Sequence, residues 1–316
     1  MATKETMNTE PYITILLYSF LLDERAENEK IWDKYERDVI FNNRFFVESV
    51  VFDEIEKYAK TMTVDYKHGD IFYRARIYDK DANAKFIEKY KDVLEENGLD
   101  FESQKESLGN PETLNFTLSI LDITPYFEDE NDPYIKYKKE AIRRCKNSSF
   151  KGFNKIESLP PPKENCIAGR ANPNYVRYLY VCEDDLTPIY EVKPALKQVV
   201  SLAKLKLKKD IRIFDFATDY CMDGDNIQGL FSFVAEKFSI PNYNDLIKYI
   251  PTQCIAERIK KLGFDGIRFN SSLNSGGKNV VMFDADICDV ISTSLVEISD
   301  IKIITKNPWL YSKADQ

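Results

Sequence analysis

The sequence predicts an α+β fold, on three observations. Short strand-like segments outnumber helices in the second half of the chain. They do not alternate with helices as a β-α-β series would, and no internal repeat is present. The 316 residues are 43% hydrophobic and 13% aromatic, enough to bury a large core and too aromatic for a disordered chain.

Residues 1–67 read as a charged helical leader. In Arg44–Thr61, Val47, Val51, Ile55 and Tyr58 recur at three-to-four spacing beside Phe52, the stripe of an amphipathic helix. Glu24–Asn42 carries a weaker helical pattern. Ile71–Ile77 alternates like a strand, and Asp79–Asn97 reads as a helix closed by Gly98. Residues 101–165 are poorer in pattern. Acidic Glu128–Glu130 precedes a basic helix-like piece, Tyr134–Lys146, and then the stiff Pro160–Pro162 connector.

From Gly169 the punctuation is regular. Tyr178–Cys182 reads as a strand, and Thr187-Pro188 as the capped start of a helix. Gln198–Lys206 and Ile211–Phe216 read as strands. The alternating Lys204–Lys209 run suggests a solvated sheet edge. Pro251–Leu262 reads as a helix with Ile255, Ile259 and Leu262 on one face and Gly263 ending it. Phe264–Asn270 and Asn279–Phe283 then read as strands around a Ser271–Gly277 turn. The expected organisation is a helical N-terminal domain at 1–67, a main domain at 68–300 with an insertion over 101–165, and a tail at 301–316.

Charge and composition exclude several functions. Net charge −8 and pI near 5.1 give no general attraction to nucleic acid or anionic membrane. The run Tyr12–Leu22 is too short to span a bilayer, and Glu5 and Glu10 upstream do not suit a signal peptide. Six scattered cysteines without a Cys-x-x-Cys pair fit a reducing cytoplasm, so a cytoplasmic protein is expected. With one histidine, His68, read as a turn residue beside Gly69, no metal site is expected. Gly-x-Gly-x-x-Gly is absent, and Gly277-Lys278 lacks the rest of a P-loop.

Arg170, Tyr180 and Glu191 are spaced ten and eleven residues apart around one predicted strand. A guanidinium, an aromatic ring and a carboxylate meeting in one cleft can grip a dinucleotide and stabilise a sugar that turns positive. Behind Thr187-Pro188, Glu191 is expected at about the second turn of a helix, where the N-terminus favours an anion.

Three blocks together resemble the RES domain family, over roughly Ile71–Phe283. They are Phe72-Tyr73-Arg74-Ala75-Arg76, then Gly169-Arg170-Ala171-Asn172-Pro173 with Tyr180 and Glu191–Pro194, then Gly263–Ser272 with Gly277–Phe283. The resemblance implies an ADP-ribosyltransferase-like mixed-sheet core at 68–300 that consumes NAD⁺ as substrate, by hydrolysis or phosphorolysis, without a metal. It implies a toxin or anti-phage effector, with an antitoxin as a partner and room for a homo-oligomer. Carried over by motif, the binding arginine falls on Arg74, with Arg76 as the alternative, and the catalytic set on Arg170, Tyr180, Glu191 and Ser271. In that reading Glu191 faces the ribose, and Arg170 forks onto pyrophosphate with Arg74. Tyr180 offers a face for stacking nicotinamide and a hydroxyl for orientation, and Ser271 bonds the nicotinamide ribose or carboxamide. The chain departs from compact members in its long leader, in the 96 positions between Arg74 and Arg170, and in Leu273 two positions after the serine, where a basic residue is common. The same site serves two other readings, transfer of ADP-ribose to a protein or nucleic acid, and a non-catalytic NAD-binding module.

Overall fold

The computed structural model describes residues 10–78, 88–100, 132–137, 152–217, 229–240 and 245–302, with side chains from residue 22 onward. The acidic 128–130, residues 79–87 of the expected helix, most of the insertion and the tail from 303 lie outside the described residues. By its contacts the chain divides into two compact units. The first comprises Met1–Arg74, Leu159–Glu191 and Lys204–Ile291, and the second Ala75–Ser158, Val192–Ala203 and Ser292–Gln316.

The fold is α+β, helices with a mixed sheet. The leader forms α1 (Glu10–Arg37), which continues as a π-helical turn over Asp38–Asn42. Helix α2 (Val50–Tyr58) follows. It starts six residues after Arg44, where the expected segment begins, because the extended Ser49 caps it by accepting a hydrogen bond from the Val51 amide. The expected stripe survives, since Val51 and Ile55 are fully buried and Val47, Phe52 and Tyr58 pack beside them.

Eight strands form one sheet: β1 (Thr63–Tyr66), β2 (Ile71–Tyr78), β3 (Leu179–Cys182), β4 (Val199–Leu207), β5 (Ile211–Asp215), β6 (Gly266–Asn270), β7 (Lys278–Met282) and β8 (Cys288–Glu297). Their order is β1-β5-β6-β7-β3-β2-β4-β8. β5 and β6 run parallel, while β1–β5, β6–β7, β7–β3 and β3–β2 are antiparallel. The Lys204–Lys209 run corrects the sequence reading. Its strand β4 lies between β2 and β8, not at an edge, and Leu205 and Leu207 are fully buried. The alternation comes from one buried face, as the pleat requires.

Two helices complete the first unit's core, α6 (Leu230–Ser239) and α7 (Ile250–Lys261). The buried cluster joins Trp32, Tyr35 and Ile55 of the leader to Phe214, Phe231 and Phe269. On α7 the buried face is Ile255, Ala256 and Ile259. Leu262, expected there, is the C-cap and 39% exposed. Gly263 at φ +91° closes the helix, a conformation that L side chains rarely adopt. In the second unit, α3 (Lys91–Glu96) ends before Gly98 at φ +69°, Leu94 packs on Tyr137, and the short α4 (Lys155–Ser158) follows. His68 lies in a turn, its amide donating to Asp210 Oδ1 at 2.8 Å.

Candidate active site

The site is built in the first unit from α5 (Thr187–Glu191), the Gly169–Pro173 loop, and strands β3, β6 and β7. Asp184, and not Thr187 as the sequence suggested, caps α5. Its Oδ1 accepts from the amides of Leu186 at 2.9 Å and Thr187 at 2.7 Å, and its Oδ2 from the Thr187 hydroxyl at 2.6 Å. Partial burial alone would raise the Asp184 pKa. The bonds from Thr187 and Leu186 hold it below the usual aspartate value instead. The helix is short, so Glu191 is its last residue. The expected support from the helix N-terminus is therefore missing, and discrete donors take its place.

Those donors are Ser271 and Asn279. The Ser271 hydroxyl donates to Glu191 Oε1 at 2.8 Å, and Asn279 Nδ2 donates to the same oxygen at 2.7 Å. The serine has one proton to give. Its oxygen already accepts from the amides of Leu273 at 3.2 Å and Asn274 at 3.1 Å, so that proton is aimed at Glu191. Ser271 thus both caps its turn and orients the carboxylate. Asn279 is 7% exposed, and its Oδ1 accepts from the Cys182 thiol at 3.1 Å, which sets the amide the right way round. The register explains the meeting, because β7 pairs Asn279 with Cys182 of β3 and with Phe269 of β6. Among the described residues no donor meets Glu191 Oε2.

The Ser271–Gly277 turn is locked against α5. Asn274 Nδ2 donates to Thr187 Oγ1 at 2.8 Å, and the Ser271 amide to Gly277 O at 2.9 Å. A Cβ on Gly277 would lie 2.2 Å from Thr187 Oγ1, so only glycine permits this approach.

The Arg170 loop is equally fixed. Gln253 Nε2 donates to Gly169 O at 2.9 Å and Asn172 O at 3.0 Å, and Thr252 Oγ1 to Arg170 O at 2.7 Å. The Tyr180 hydroxyl donates to Asn172 Oδ1 at 2.7 Å and accepts from the Ala171 amide at 3.0 Å. Burial pushes the Tyr180 phenol up to about 12, so it stays protonated as this donor. Tyr180 therefore holds the loop by its hydroxyl, and Gly169 has no room for a Cβ, which would sit 2.8 Å from that oxygen.

The Arg170 guanidinium lies over the Phe269 ring, 4.8 Å from its centroid. Among the described residues, its Nε is buried without a hydrogen-bond partner. Burial lowers its pKa, opposed by the nearby Tyr249, Glu191 and Tyr180. A buried guanidinium with an open donor is costly unless an anion meets it.

The structure therefore gathers Arg170, Tyr180, Glu191 and Ser271 in the first unit. Arg74 is half-buried on β2, next to Tyr73, which pairs with Cys182 of β3. Arg76 belongs to the second unit, where it donates to Glu157 O and lies over the Phe153 ring at 5.2 Å. Sequence reasoning missed Asn279, Thr252 and Gln253. Thr252 carried a signal, since it stands three residues before Ile255 and seven before Ile259, at a core position of α7. Among the described residues no cluster of potential metal ligands occurs, and no helix is long and apolar enough to cross a membrane.

A comparison with curated proteins gives no match. Among solved structures, the chain is similar to a chain of the M. tuberculosis MbcT–MbcA toxin–antitoxin complex, at 15% identity and a TM-score of 0.28. That similarity covers 49% of this chain and 81% of the other. The family model described as the RES domain matches residues 141–300, half of the chain and all of the Arg170–Glu191–Ser271–Asn279 arrangement. The chain belongs to the RES domain family.

Proposed function

We propose that the protein cleaves the nicotinamide–ribose bond of NAD⁺ and acts as a toxin or defence effector that depletes the dinucleotide. One observation carries this reading. A carboxylate fixed through one oxygen by Ser271 and Asn279 stands in the electrostatic field of a buried arginine with an open donor.

In the reaction the C1′–N bond breaks and its electron pair passes to the pyridinium nitrogen. Nicotinamide leaves neutral and the ribose becomes oxocarbenium-like, so no general acid is required. Glu191 presents Oε2 to the ribose hydroxyls and its charge to the sugar, as glycosidase carboxylates do. Because Ser271 and Asn279 hold Oε1 beforehand, little reorganisation accompanies the bond cleavage. Arg170 supplies the planar fork for the pyrophosphate, with Arg74 as its proposed companion. Water or phosphate then attacks C1′ and gives up a proton to solvent, leaving ADP-ribose or its 1-phosphate. The chemistry needs no metal. As in the family resemblance, a small antitoxin covering the cleft is the proposed partner.

The test is nicotinamide release from NAD⁺ by the pure protein, in phosphate and in phosphate-free buffer, with the ribose product identified. Release in either buffer supports the reading. An inert protein in both refutes it, and label moving from NAD⁺ onto a macromolecule would replace it with a transferase.

A further inference from the structure

Behind the Arg170 loop lies a cavity of about 380 Å³, lined by residues of the leader and of α7. Phe45, Val47, Phe52 and Pro173 give it apolar lining, and Arg44, Arg258 and Lys261 cationic lining. Among the described residues Glu257 is the one acidic side chain lining it, and that carboxylate already accepts from the Tyr178 hydroxyl at 3.1 Å. Arg258 is ion-paired with Glu56, yet among the described residues its Nε is buried without a partner. Among the described residues, Arg44 and Lys261 form no ion pair.

Unpaired cations on a protein of net charge −8 go against the general charge. Beside them the leader exposes Phe41 at 77%, Phe45 at 76% and Phe46 at 84%, three phenylalanines within six residues. Aromatic rings left in water next to a cationic hollow mark a surface for another protein. Arg44 lies over the Phe45 ring at 5.1 Å and Arg258 over Phe52 at 5.6 Å, so each cation stands by an apolar wall.

We infer that this cavity docks an acidic peptide segment of a partner protein, an apolar side chain seated on Phe45 and Phe52 and its carboxylates on Arg44 and Lys261. The occupant bears on the active-site loop, because Pro173 and Gln253 line the cavity and Gln253 holds Gly169 and Asn172 from behind. The inference stands apart from the proposed reaction, since it requires binding and no turnover.

The probe is a fluorescein-labelled Asp-Phe-Glu-Leu-Glu peptide, titrated with the full chain by fluorescence anisotropy beside a control with lysine at each acidic position. Saturable binding is expected, weakened by added salt and by about tenfold in Arg44→Glu or Lys261→Glu, both exposed positions with no part in the core. Hydrogen exchange should slow at residues 44–47, 169–173 and 253–261 on binding. No saturation up to about 1 mM overturns the inference. Equal affinity for the lysine control, or indifference to both charge reversals, also overturns it. Full competition by inorganic phosphate would assign a small-anion site instead, and self-association lost in Arg44→Glu a second copy of the chain.

Discussion

In the proposed reaction, Glu191 acts through neighbours that fix one of its oxygens and leave the other to the sugar. Ser271→Ala and Asn279→Ala each remove one of two donors, at 2.8 and 2.7 Å, and should each lower kcat about tenfold, roughly 1.4 kcal/mol of transition-state stabilisation. KM for NAD⁺ should move little, because neither residue grips the substrate. A matched loss of stability and activity would instead mark them as structural. Arg170→Ala should act the other way, raising KM strongly if the proposed pyrophosphate fork is lost. At this scale the sequence was informative for four of the site residues, because Arg170, Tyr180, Glu191 and Ser271 lie in recognisable blocks. Asn279 was hidden, since in sequence it reads as the first residue of an apolar strand. Only the β3–β7 register shows that it faces Cys182 and Glu191. For Tyr180 the structure adds what its hydroxyl holds, the Arg170 loop through Asn172 and Ala171.

At the scale of elements, the first turn of α7 is the platform for the Arg170 loop. Gln253→Ala removes both bonds to Gly169 and Asn172 carbonyls and leaves buried acceptors open, at a cost of about 1–3 kcal/mol. Thermal unfolding should fall accordingly, and KM for NAD⁺ should rise more than kcat falls. Unchanged KM would separate the platform from the site. The Pro251–Gly263 pattern made α7 legible as a helix, but its role as a platform was not, because a helix periodicity reports the apolar stripe and not the carbonyls that polar residues reach. Helix α5 was mis-capped in the sequence reading for a related reason. Asp184 lies before the Thr187-Pro188 signal and takes the cap by reaching over Asp185 and Leu186.

Across the first unit, the leader and the sheet share one core. The Tyr35 hydroxyl donates to Pro251 O at 2.8 Å, tying α1 to the first turn of α7 and so to the platform beneath Arg170. Ile55, fully buried, should cost about 2–5 kcal/mol when cut to alanine, and that loss should unfold site and leader in one transition. Two separate transitions in calorimetry would contradict a shared core. The sequence showed the leader's helices through their periodicity, but no local pattern reveals which distant face a stripe will meet. Acid should weaken the same unit. Burial by itself raises the Glu183 pKa, but hydrogen bonds from Arg268 and Tyr66 outweigh it and leave the carboxyl below its usual 4.5. A depressed carboxylate stabilises the fold above the unfolded value and loses that contribution as pH falls through the folded one. Urea midpoints should therefore drop below about pH 4.5, and Glu183→Gln should be less stable at neutral pH with a flatter acid limb.

The central claim is that the Glu191 charge stabilises a sugar turning positive, and Glu191→Gln tests it most directly. Nicotinamide release by this variant should fall at least about a hundredfold below wild type, while calorimetric NAD⁺ binding and the unfolding midpoint stay close to wild type. Turnover at the wild-type rate with the carboxylate gone would contradict the account.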